Sequence, residues 1–190
     1  MRDAAVDDDF IDQLEARDVC VCPTLMREVS TFVYETRPAF FDDPFFRREV
    51  DPATTEPLER PARQASVRSD PAAQRYKRAL DVAESNLARL AQAGVRIAFG
   101  TDSGPPGRFQ GYFEHLELER MVGAGLTPMQ VIVAATGDAA RCMNIADRAG
   151  TLKAGLQADF LVLRRDPLED IRNTRTLESV WIGGRQVASR

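Results

Sequence analysis

Histidine is almost missing from this chain: one residue, His115, in 190. That scarcity excludes a zinc or iron site built from histidines, which wants three or four ligands. It also leaves Ser103 without a base for a Ser-His-Asp triad, and Ser103 does not sit in a G-x-S-x-G setting. Cysteine is scarce as well. Cys20, Cys22 and Cys142 make an odd count with no framework spacing, which fits a reducing compartment. Cys20 and Cys22 share one side of a short apolar run and are expected as core thiols, because the C-x-C metal reading has no second pair. No apolar run approaches the ~20 residues needed to cross a bilayer. With 25 basic and 29 acidic residues and a net charge of −4, no basic patch argues for nucleic acid. The N-terminal run Met1-Arg2-Asp3-Ala4-Ala5-Val6-Asp7-Asp8-Asp9 is acidic and has no signal-type apolar core, so a cytoplasmic protein is expected.

What is present suits one or two small domains with a real core, since 44% of the residues are apolar. Residues 8–17 carry Phe10, Ile11 and Leu14 on one side and are predicted helical. Residues 19–25 form an apolar, β-branched run that reads as a buried parallel strand. Residues 28–69 keep no clean period. Their aromatics, Phe32 to Phe46, argue against disorder, leaving a lid or pocket wall, or a short amphipathic helix resting on the core. Asp70-Pro71 is an N-cap followed by proline at the first helical position. The stripe Tyr76, Leu80, Ala83, Leu87 and Leu90 then continues to a stop at Gly94. A strand over 95–99 follows. Helices are predicted over about 113–124, from Thr127-Pro128 onward, and near 138–145. Two successive αβ units imply a parallel sheet. The character changes near residue 148. Residues 150–152, 158–163, 178–182 and 185–188 read as strands, with Gly183-Gly184 as a two-residue hairpin turn.

Val95-Arg96-Ile97-Ala98-Phe99-Gly100-Thr101-Asp102-Ser103-Gly104 is the segment richest in chemical signal. It is a short apolar strand that runs straight into an acid and then a Ser-Gly-Pro-Pro-Gly turn. In parallel α/β architectures the loops beyond the carboxyl ends of the strands gather the chemistry on one face. Asp102 can bind a metal or take a proton from water there; it can equally cap the turn. Arg108 and Gln110 can reach a substrate carboxylate or carbonyl, or simply face solvent. The loop's two prolines remove backbone donors and weaken any phosphate reading. Thr136 and Asp138 are expected to make local hydrogen bonds at a helix start, Asp159 to order the start of a strand, and Asp166-Pro167 to form a turn.

Three segments together resemble the metal-dependent amidohydrolase superfamily, in particular its imidazolonepropionase-like and prolidase-like members. They are Phe99-Gly100-Thr101-Asp102-Ser103-Gly104; the run from Leu116 to Pro128 followed by Ala134-Ala135-Thr136 and Ala139-Ala140; and Ala149-Gly150-Thr151-Leu152 through Leu163 with Asp166-Pro167-Leu168. Their order is similar to that of the final third of such enzymes. The resemblance implies an α/β fold: the last strands and helices of a (β/α)₈ TIM barrel over 1–148, then strands of a small composite β-sandwich over 149–190. Residues 19–24 would correspond to barrel strand seven and 95–100 to strand eight. Trp181 would pack between sandwich and barrel.

By the same resemblance Asp102 is a catalytic residue and a metal ligand, accepting a proton from water on a divalent cation, zinc by preference, and passing it to the leaving group. Ser103, Arg108 and His115 are candidate substrate-pocket residues. His115 lies inside the helical run Glu114-His115-Leu116-Glu117-Leu118, where a pocket-edge role, an ordinary hydrogen-bonding role and metal ligation all remain open. The family's H-x-H, its carboxylated Lys or Glu and its two later histidines have no counterparts here. The run from Arg2 to Phe10 resembles the segment just after strand six. The expectation is therefore the C-terminal part of an enzyme that hydrolyses C–N bonds in an amide, a cyclic amide or a dipeptide-like small molecule. The chain alone would bind no metal stably, lack activity and tend to aggregate through unpaired edges. The alternative is a non-catalytic remnant or interaction module that docks on a complementing chain. Homo-oligomers are also open, and no nucleic-acid or membrane partner is expected.

Overall fold

The computed structural model describes residues 3–189. Met1, Arg2 and Arg190, at the ends of the acidic run and of the tail, lie outside the described residues. Helices dominate the first three quarters: α1 (Asp8–Ala16), α2 (Leu25–Val29), α3 (Pro44–Glu49), α4 (Pro52–Glu59), α5 (Pro61–Ser69), α6 (Pro71–Gln92), α7 (Tyr112–Gly123), α8 (Pro128–Val133) and α9 (Ala139–Cys142). A π-turn over Ala134–Asp138 joins the last two.

The stretch expected to be irregular, 28–69, is a series of short helices. Its punctuation is local chemistry. Asp43 and Asp51 each stand before a proline and accept a hydrogen bond from the second amide of the helix, Phe45 N at 2.8 Å and Ala53 N at 2.9 Å. Asp70 does the same for α6 through Ala72 N at 2.8 Å. Proline at the first helical position gives up a donor that would have no partner anyway. These short helices fold a second core, with Phe41, Phe46, Tyr112 and Phe113 buried among its aromatic residues. Phe46 meets Phe109 edge-on at 4.8 Å, the favoured geometry for two ring quadrupoles. The segment is packed, as several short helices with a core of their own rather than the single short helix of the second reading.

The main core lies under α6, α7 and α8, with Leu87, Leu90, Met121 and Val131 essentially sealed from solvent. It also holds Val21 and Ile97, the centres of the two expected parallel strands. These segments do run side by side and parallel, but they share a single bridge, Val21 to Ile97. Val21 N donates to Arg96 O and Ala98 N to Val21 O, both at 2.9 Å. The next amide, Phe99 N, turns instead to the helical carbonyl of Ala134 at 3.0 Å. A parallel pair flanked by no further strand has little to extend along. Among the described residues this bridge is all there is of the expected barrel wall.

The tail is a three-stranded antiparallel sheet in the order β1 (Phe160–Leu163), β2 (Leu177–Ile182), β3 (Arg185–Ser189). Gly183 and Gly184 both take positive φ, 57° and 75°, as a two-residue hairpin of this hand requires. Asp159 Oδ1 accepts from Gly183 N at 2.6 Å and ties that turn to the first strand. The strand expected at 150–152 does not form. Gly150 instead presses on α9, where a Cβ would meet that of Ala140 at 2.4 Å. Trp181 stacks on Phe160 across the sheet, rings 5.4 Å apart. Leu161, Ile182 and Val187 remain more than half exposed.

The thiol expectation is corrected. Cys20 is joined to Cys142 by a disulfide, Cα atoms 5.9 Å apart and 122 residues apart in sequence, while Cys22 is free and exposed. Such bonds persist in oxidising surroundings, so the cysteine count no longer argues for the cytoplasm. No helix among the described residues is long and apolar enough to cross a membrane. Because the bond closes so long a loop, reduction or Cys20→Ser should lower unfolding free energy by about 2–5 kcal/mol. Urea unfolding with and without reductant measures it, and coincident curves would mean the bond is not formed.

Candidate active site

The bridge brings the chain to the site from two directions. Residues 95–99 lead into Gly100, where an added Cβ would meet Cys22 Sγ at 2.5 Å; the two segments are pressed together at their carboxyl ends. Both then break out of extended conformation by a left-handed residue, Thr24 with φ 48° and Asp102 with φ 53°. For residues other than glycine this region is uncommon and costs energy that the surroundings must offset.

The offset on the first branch is Glu117 of α7. It is fully buried, and its carboxylate accepts Leu25 N at 2.8 Å and Met26 N at 2.6 Å, the first amides of α2. Burial pushes its pKa up to about 7 despite those two hydrogen bonds, which pull the other way. Cys22 is exposed as a residue, but its sulfur faces Gly100, and partial desolvation there raises the thiol, with the Glu117 charge adding to it. The sequence reading missed Glu117. Its signal is the stripe Phe113, Glu117, Met121, an acid on the apolar face of a helix.

On the second branch, Thr101 is buried. Its hydroxyl lies 2.7 Å from Glu114 Oε1 and 2.8 Å from Ser103 Oγ. One hydroxyl has one proton, so Thr101 donates to the carboxylate and accepts from Ser103. Glu114 Oε2 in turn accepts Gly111 N at 2.6 Å and starts α7. Asp102 then stands outward, its side chain 59% exposed. Arg108 Nη1 reaches its Oδ2 at 2.8 Å and its main-chain oxygen at 3.0 Å, and Arg27 Nε lies 3.9 Å from the same Oδ2. Arg108 Nε donates to Ser30 Oγ at 3.1 Å, and Ser30 Oγ donates to Arg27 O at 2.6 Å. Arg27 is fixed by Tyr76 and Glu28; the hydrogen bond to Tyr76 leads the causes that raise its pKa. Tyr34 closes the loop from below by donating to Gly107 O.

Asp102, Ser103 and Arg108 are therefore gathered in one place. His115 is not among the groups that touch Asp102. Its Nδ1 lies 2.9 Å from Thr174 Oγ1, and Thr174 spends its proton on Ile171 O at 2.9 Å, so the imidazole donates. Phe45 meets the ring edge-on at 5.1 Å. Burial, then the charge of Arg175, lowers its pKa to about 4 and keeps it neutral. Arg175 itself ties the tail to the helical body, bonding Asp43 at 2.8 Å and also Glu119. Local bonds were expected at Thr136 and Asp138, and they form, to Ile132 O at 2.7 Å and to Arg141 at 2.6 Å.

The divalent metal implied by the sequence resemblance does not fit this donor set. No three His, Cys, Asp or Glu side chains among the described residues converge on one point. The carboxylate best placed to bind a cation already faces two guanidinium groups.

Against known proteins, the amidohydrolase family profile matches residues 48–187. Ochratoxinase of Aspergillus niger is 38% identical over 99 residues, which is 50% of this chain and 20% of that protein. Imidazolonepropionase of Deinococcus deserti is 36% identical over 103 residues, 52% of this chain and 25% of that protein. A solved Xaa-Pro dipeptidase with bound methionine in its active site superposes with a TM-score of 0.68 at 20% identity, over 97% of this chain and 38% of that one. The matches thus span 20–25% of these curated relatives.

Glu117 and His115 should leave opposite marks on stability. Glu117, raised from 4.5 to about 7, contributes stability below pH about 4.5 that is lost as pH rises through 7. His115, lowered from 6.5 to about 4, contributes stability above pH 6.5 that is lost as pH falls through 4. Each is worth about 3 kcal/mol, and between pH 4.5 and 6.5 they nearly cancel. Relative to wild type, Glu117→Gln should lose more stability at the acid end of that window, and His115→Gln more at the other. Urea unfolding across the pH series tests this, and two parallel profiles would contradict it.

Proposed function

The chain belongs to the amidohydrolase family, and from that premise we propose that it supplies Asp102 to a site hydrolysing carbon–nitrogen bonds in small molecules. The observation that carries the reading is the placement of Asp102. It follows the 95–99 segment at the carboxyl end of the parallel bridge, beside the exit of the neighbouring segment at Thr24. In parallel α/β folds this is the end where reacting groups converge. There the carboxylate can take a proton from an attacking water and return it to the departing nitrogen. Thr101, Ser103 and Glu114 hold the backbone around it, and Arg108 keeps it oriented. Hydrolases among the relatives, ochratoxinase and imidazolonepropionase, are consistent with small-molecule substrates.

A zinc-type metal is part of the family resemblance, and the ligands for it are not gathered by the described residues. The reading therefore makes this chain inactive alone and dependent on a polypeptide that carries the histidines. One feature favours such a complementing partner. Val19, Met129 and Val133 stay exposed along a trough of about 480 Å³ next to the parallel bridge, whose mixed lining also includes Glu15, Asp18, Arg96 and Asp138.

The test is hydrolysis of N-acyl amino acids and cyclic amides, with divalent metal, by the chain alone and co-expressed with the histidine-bearing portion of a family member. Turnover should appear only in the complemented sample and fall about 10²–10⁴-fold in Asp102→Asn. Equal turnover in that variant, or none in any sample, would sink the reading.

A further inference from the structure

Two arginines steady the Asp102 carboxylate, and both take their places from α2. Arg27 lies in that helix, its Nε 3.9 Å from Asp102 Oδ2. Arg108 comes from the other branch, but its Nε donates at 3.1 Å to the hydroxyl of Ser30, the residue that closes α2. Ser30 in turn donates to Arg27 O at 2.6 Å. Where α2 sits therefore decides where both guanidinium groups meet Asp102.

The helix does little to fix itself. It has five residues, and Thr24 before it lends no side-chain hydrogen bond and holds a left-handed φ of 48°. A helix so short does not persist alone, and its first amides have no partner within it. Leu25, Met26 and Val29 are buried, but apolar burial is non-directional and leaves the roll of the helix open. Glu117 supplies direction from α7. Its Oε1 takes Leu25 N at 2.8 Å and its Oε2 takes Met26 N at 2.6 Å. Two oxygens of one planar group on two successive amides set both the position of the helix start and its roll, and Arg27 is the next residue. Both oxygens are committed to α2, so the influence of Glu117 on Asp102 passes through the helix. Filling the space does not call for an acid. A glutamine has nearly the same shape, but with one oxygen acceptor and one NH₂ donor it would turn an N–H toward one of the two amides.

We propose that Glu117 is a positioning residue for Asp102: by gripping the first two amides of α2 it sets where Arg27 and, through Ser30, Arg108 hold that carboxylate. The inference rests on the hydrolase reading for the purpose of the arrangement, but its first test does not. The Nε–Hε NMR signals of Arg27 and Arg108, identified by their loss in Arg27→Lys and Arg108→Lys, are followed at pH 8, above the value of about 7 at which Glu117 ionises. Glu117→Gln should displace both signals, though neither arginine is bonded to residue 117. Glu117→Asp, which keeps both acceptors on a shorter arm, should displace them less. Leu118→Ala trims the adjoining core contact, spares the two hydrogen bonds and should leave the signals in place. Unmoved signals in whichever Glu117 variant folds, or equal displacement by Leu118→Ala, would overturn the proposal. In the complemented sample Glu117→Gln should lower kcat about 10–10²-fold with KM within about twofold, and Glu117→Asp should recover part of the loss. Unchanged turnover in Glu117→Gln alongside an impaired Asp102→Asn would remove this inference and keep the hydrolase reading. Displaced signals with no turnover in any sample would do the reverse.

Discussion

The close parallel approach of residues 19–24 to residues 95–99 is the constraint on which the rest of the molecule depends. Two backbone hydrogen bonds at Val21 hold it, and Gly100 permits it by offering no side chain to Cys22. The hydrogen bonds are few, so the approach is maintained mostly by what packs around it: Leu87, Leu90, Met121 and Val131 close over Val21 and Ile97. Burial of apolar surface, rather than a ladder of strand pairing, holds the pair in register. Everything chemical in the chain is placed by this approach, because both segments deliver their next residues to the same end.

At that end the fold exchanges solvation for fixed geometry. A carboxylate buried as completely as Glu117 loses its water, and two amide donors from α2 replace part of it. The bond pattern locks the start of one helix to the middle of another across more than ninety residues of sequence. Thr101, Glu114 and Gly111 repeat the device on the neighbouring branch. The exposed carboxylate of Asp102 therefore projects from a rigid base, while the polar groups beneath it are satisfied internally. Pre-organised support of this kind is what lets a side chain on a loop keep a defined position.

How much of this was legible depends on range. Asp70-Pro71 announces α6, and the long apolar stripe after it confirms the helix. Asp43-Pro44 and Asp51-Pro52 carry the same local signal, but α3 and α4 are too short to show a period, so 28–69 reads as irregular. Gly183-Gly184 locates the hairpin because its turn geometry is a property of two residues. The strands at 19–24 and 95–99 read correctly as apolar, neighbouring and parallel; their reduction to one bridge depends on flanking strands that the described residues do not provide. Asp102, Ser103 and Arg108 fall within one loop and emerge together. Arg27 and Glu117 join them from far along the chain, and the Cys20–Cys142 bond is equally non-local. No window of sequence holds both partners of such contacts. His115 shows the other limit, since residue type alone does not tell a polar pocket from a niche between Phe45 and Thr174.

The disulfide has one more consequence. It closes a covalent ring around α2 to α8 and the loop that bears Asp102. A protease that nicks that loop, or any exposed linker inside the ring, would leave two peptides still riveted as one particle. Damage of that kind stays hidden on a gel until a thiol is added. Scission of that loop is thus a cut that the molecule survives without falling apart.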